Sequence, residues 1–96
     1  MARRLVERRL IDVGDRLKKL RQQLAVANEQ LVHFSDEADD ARLRALVSET
    51  PLAEREFRDA QRRAELMRRS RDETLAEIAT LERNQDELLD QLASER

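Results

Sequence analysis

The chain has no cysteine, no tryptophan and no tyrosine, and among its 96 residues stand one glycine, one proline, one histidine and two phenylalanines. Each scarcity removes a class of answer. Without cysteine there is no disulfide framework and no thiolate metal site, which agrees with a reducing compartment, so a cytoplasmic protein is expected. With Gly14 as the only glycine, no glycine-rich phosphate loop can form. His33 has neither a cysteine nor a second histidine at helical spacing, and Ser35 and Ser48 have no base to activate them, so no metal site or nucleophilic dyad is expected. No apolar run approaches the roughly 18 to 20 residues that span a bilayer. No apolar segment follows the opening Met-Ala-Arg-Arg, so a secretory signal is not expected. The reading is of a chain without catalytic activity, cofactor, metal, membrane span or small-molecule substrate.

What is abundant points to a shape. Charged side chains fill 42% of positions, and Ala, Glu, Lys, Leu and Arg make up 58 of the 96 residues, past the half that marks a long helix or coiled coil. Leu, Ile, Val and Phe together supply a quarter of the chain, above the range typical of disorder. Arginine outnumbers lysine by 17 to 2, as in a GC-rich, bacterial coding sequence.

One periodicity dominates, the heptad. From Val6 the apolar residues run Leu10, Val13, Leu17, Leu20, Leu24, Ala27, Leu31, Phe34, Ala38, Ala41 and Ala45, in steps that alternate four and three. From Ala53 the same alternation gives Phe57, Ala60, Ala64, Met67, Arg71, Thr74, Ile78, Leu81, Gln85, Leu88 and Leu92, where only Arg71, Thr74 and Gln85 are polar. Between the two series lies Val47-Ser48-Glu49-Thr50-Pro51. Proline at a first helical position lacks only an N–H that would have no intrahelical partner, and Thr50 before it can cap the freed amides. The expected fold is therefore all-α: helix one over about 3–48, a turn at 48–51 and helix two over about 51–94, folded as a long antiparallel coiled-coil hairpin in a single domain. Each helix would run to roughly 65 Å. Ser35, followed by Asp36, Glu37, Asp39 and Asp40, also reads as a helix start, and a short third helix over 36–48 is the competing expectation.

Antiparallel pairing demands that facing seam residues have a constant sum of positions, and the sum is 98. Leu20 faces Ile78, Leu17 faces Leu81, and Phe34 and Phe57 meet Ala64 and Ala41, large against small. Towards the turn the seam is mostly alanine. Charge agrees: residues 1–21 carry +5, residues 22–41 carry −5, residues 42–71 carry +4 and residues 72–96 carry −6, so the hairpin sets opposite blocks side by side. Near the turn the expected pairs are Arg42 with Glu54, Arg44 with Glu56, and Glu37 with Arg63.

Three features bear on function. Apolar residues also occur off the seam: Ile11, Ala25 and Val32 at one heptad position of helix one, and Leu75 and Leu89 at another of helix two, fall on one flank together with Gly14. A second stripe prepares a helix for a second neighbour. It predicts that the chain acts by self-association, most simply as a twofold dimer forming a four-helix bundle, or docks this flank on another protein, as a scaffold or adaptor. Arginines cluster at Arg3, Arg4, Arg8 and Arg9 and again at Arg62, Arg63, Arg68 and Arg69; the second cluster is the candidate phosphate-binding face of the alternative reading, a regulator of nucleic acid or the transcription machinery. Against that reading stand the net charge of −2 and the lack of aromatics off the seam. The acids at 36–40 lack the glycine and spacing of a calcium loop and read as a solvated face.

The hairpin outline resembles the coiled-coil hairpins of bacterial Gre-type transcription factors, which enter the secondary channel of RNA polymerase. In that family the acidic residues that matter sit at the hairpin tip. Here the tip, Val47 to Leu52, has Glu49 as its only acid, and the Asp36 to Asp40 cluster lies further down the shaft, so the resemblance carries no site residue across.

Overall fold

The structure, a computed structural model, describes residues 2–94. They form two α-helices, α1 (Ala2–Ser48) and α2 (Pro51–Ser94), and no strand. The link between them is Glu49 and Thr50. α1 contains no proline and passes through Ser35 without a break, so the competing short helix over 36–48 does not exist.

The turn is built from local chemistry. The last bond of α1 is donated by the Glu49 N–H to the Ala45 carbonyl at 3.1 Å, and Glu49 then enters the left-handed region with φ of 52°. That conformation ends helices commonly, and glycine is its usual occupant because a Cβ crowds the following carbonyl. Thr50 opens α2: its Oγ1 accepts the Ala53 N–H at 3.2 Å, and its carbonyl accepts the Glu54 N–H at 3.1 Å. Pro51 occupies the first helical position, where no N–H is needed.

Every seam position of the heptad is buried or half-buried, and outside the seam only Gly14, Ser35 and Glu37 share that state among the described residues. Arg71, Thr74 and Gln85 remain half-exposed, and no polar side-chain atom among the described residues is buried without a partner. The seam therefore carries polar residues without the desolvation penalty of a buried charge.

Two compact units divide the helices. The terminal unit joins α1 up to Leu24 with α2 from Glu73 onward. Its core is Leu17, Leu20 and Ile78, with Val13, Leu24 and Leu81 packed against them, so residues of both helices share one buried cluster. Leu17 and Leu20 are each 1% exposed, and full burial of such a side chain stabilises by about 1.5–3 kcal/mol. On its surface Arg16 donates to Glu77 at 2.7 Å across the two helices. Both side chains are about half exposed, which limits such a pair to about 0.2–1 kcal/mol.

The turn unit spans Ala25–Asp72. Its fully buried residues are all alanines: Ala41, Ala45, Ala53, Ala60 and Ala64. The inter-helix pairs expected here do not close. Among the described residues the ion pairs of this unit are Glu65–Arg68 at 2.6 Å and Arg71–Asp72 at 2.9 Å, and His33 Nε2 lies 3.1 Å from Glu37, each within one helix. Glu37, Arg44, Glu56 and Arg63 instead line a single open groove, with no ion pair joining the two helices there. Exposed pairs gain too little in water to hold two long side chains in one rotamer.

Candidate interaction surfaces

The predicted flank is largely solvent-facing in both units, each taken by itself. In the terminal unit Ile11 is 64% exposed, Leu75 43% and Leu89 49%. Gly14 is half-buried, and a Cβ built on it would meet no atom within 4 Å beyond its chain neighbours and its own helix backbone. In the turn unit Val32 is 62% exposed and Ala25 is exposed.

Other apolar side chains are exposed as well, and one of them, Leu46, shares the heptad position of Ile11 and Val32. Leu43, Leu46, Val47 and Leu52, around the turn, are between 62% and 85% exposed, and Leu66 is exposed as well. In the turn unit, then, large aliphatic side chains face outward while the buried seam positions hold alanine. The signal is in the spacing: Val47, Leu52 and Leu66 share one heptad position, as Leu5 and Val26 also do, on the flank opposite Ile11 and Leu89.

The structure divides the arginines of the alternative reading. Arg68 donates to Glu65 at 2.6 Å, one turn away on its own helix, and lines a groove with Phe57 and Asp39. Arg63 lines the groove that holds Glu37 and Asp40. Arg62 and Arg69, seven residues apart, share the outward face of α2, exposed and without an ion pair among the described residues. The four do not form one continuous basic patch. Arg71 donates from Nε and Nη2 to Asp72 Oδ1 at 3.0 and 2.9 Å and borders a groove of about 450 Å3 with Asn28, Ser35 and Asp36. At the other end Arg3 pairs with Glu7 at 3.2 Å.

The acids of 36–40 are likewise distributed among separate grooves: Asp36 near Arg71, Asp39 near Arg42 and Arg68, and Glu37 and Asp40 near Arg44 and Arg63. Among the described residues no group of three or more His, Cys, Asp or Glu is disposed to hold a metal ion. His33 is exposed, bound to Glu37 and tilted against Phe34 with ring centroids 5.6 Å apart. No helix among the described residues is long and apolar enough to cross a membrane.

Fold and surface together define a class: an all-α helical hairpin with a heptad seam, whose distinguishing surface features are exposed aliphatic side chains and open grooves of mixed charge. Comparison with protein-family models, with curated proteins and with solved structures finds no match to this chain.

Proposed function

We propose that this chain is a non-enzymatic, cytoplasmic coiled-coil interaction protein. It works by self-association, as a twofold dimer completing a four-helix bundle, and by docking its apolar flank on a protein partner. One observation carries the reading. Eleven large aliphatic side chains of the described residues are exposed, whereas only five, Val6, Leu17, Leu20, Ile78 and Leu88, are buried; the other buried residues are alanines. A chain that orders this much backbone around so thin a seam gains by covering apolar surface with another molecule. Sedimentation equilibrium of the full chain tests it. Association in the micromolar range supports the reading; a helical monomer throughout that range sinks the self-association part.

A second reading rests on Arg62, Arg63 and Arg69, exposed and free of ion pairs among the described residues. Such guanidinium groups suit phosphate contacts, which would make the chain a regulator acting on nucleic acid. Binding of DNA or RNA that strengthens steeply as salt is lowered, and is lost in the Arg62→Glu/Arg63→Glu/Arg69→Glu variant, is its signature. No binding at low salt removes it.

A further inference from the structure

The groove between α1 and α2 in the turn unit has a regular edge. On α1 the positions 37, 40, 44 and 47 succeed one another at steps of three and four residues, which places them on one stripe of the helix. On α2 the positions 52, 56, 59 and 63 do the same. Between the two stripes lie Ala41 and Ala60, buried to 2% and 4% exposure, and above them a groove of about 320 Å3. Small residues beneath the groove make this flank shallow, so another helix pair can approach it closely.

The stripes are complementary to each other and are not joined within the chain. Glu37 on α1 corresponds to Arg63 on α2, Arg44 to Glu56, and Val47, 85% exposed, to Leu52, 65% exposed. Neither charge pair closes between the helices of one chain, although all four groups line the same groove. A surface that carries two complementary stripes matches itself. A twofold axis parallel to the helices would set α1 of one copy against α2 of the other, and each stripe would then meet the stripe it complements.

We infer that the turn unit binds a second copy of this chain through this flank. Arg44 pairs with the partner's Glu56, Glu37 with the partner's Arg63, and Val47 packs on the partner's Leu52, each contact made twice. The Asp40 layer opposes the partner's Asp59 and limits the strength of the contact. The inference rests on the self-association proposed above and commits it to a different surface from the Ile11 and Leu89 flank. A protein of one charge sign fits this flank less well, because either sign meets both acids and arginines along each stripe.

Exchange of charge in trans tests the pairing. Arg44→Glu alone and Glu56→Arg alone place like charges in the contact, so each variant should dimerise about tenfold more weakly than the native chain by sedimentation equilibrium. An equimolar mixture of the two restores opposite charges only between different copies and should recover heterodimers of near-native affinity. The Val47→Asp/Leu52→Asp variant should also dissociate, with helicity by circular dichroism unchanged. If the native chain associates but the single variants are unaffected, or the mixture fails to recover, this contact is wrong while self-association stands. A native chain that stays monomeric to hundreds of micromolar overturns both.

Discussion

The two units share one heptad pattern and use it differently. In the terminal unit the seam is filled by branched aliphatics, with Leu17, Leu20 and Ile78 withdrawn from water. In the turn unit the buried positions hold alanine, and Leu43, Leu46, Val47 and Leu52 stand outside. Periodicity alone therefore decides which residues face the neighbouring helix. Side-chain size decides how much stability the facing produces, since the gain scales with the apolar area removed from water. The terminal unit is held by its own core. The turn unit has alanines at its buried positions, a cap at Thr50 and a link of two residues.

Substitutions that reverse this contrast should rank by size. Leu20→Ala removes one of the two best-buried side chains of the terminal unit and should lower the free energy of unfolding by about 2–5 kcal/mol in urea titration. A loss much below that would mean the cluster is not the main support. Ala60→Leu forces bulk into the alanine seam and should cost about 1–3 kcal/mol, seen in the same titration. Should it stabilise instead, the turn unit is loosely packed and the contrast between the two units disappears. Thr50→Ala deletes the acceptor of the Ala53 N–H and should cost about 1 kcal/mol, with faster amide exchange confined to the first turn of α2. Smallest, and of opposite sign, Glu49→Gly relieves the left-handed residue and should raise stability by up to about 1 kcal/mol in thermal melts.

Much of this arrangement was legible in the residues themselves. The heptad from Val6 to Leu92 located every seam position, because a strict alternation of apolar residues leaves a helix one way to face its neighbour. Thr50-Pro51 marked the start of α2 because both residues act locally. Two things were not legible. Arg44 and Glu56, or Glu37 and Arg63, look like partners when positions alone are matched, but whether exposed ions close depends on side-chain entropy and solvent screening, which spacing does not report. Glu49 lacks the glycine or asparagine that would announce a left-handed cap, so its backbone conformation follows from the need to reverse the chain before Thr50, not from its own preference. The apolar residues near the turn were visible in principle but lay at heptad positions usually given over to solvent.

Gly14 gives the terminal unit an unspent reserve. In the middle of a helix glycine costs about 0.5–1 kcal/mol relative to alanine, and here the space in front of its Cα is empty of the chain's own atoms. An alanine would fit without displacing anything, so the isolated hairpin with Gly14→Ala should melt higher than the native one. The bare backbone at this point is thus a vacancy the monomer does not need. If another chain rests there, the same methyl group that strengthens the monomer will hold that chain away, and opposite changes in melting temperature and in binding affinity will reveal the contact.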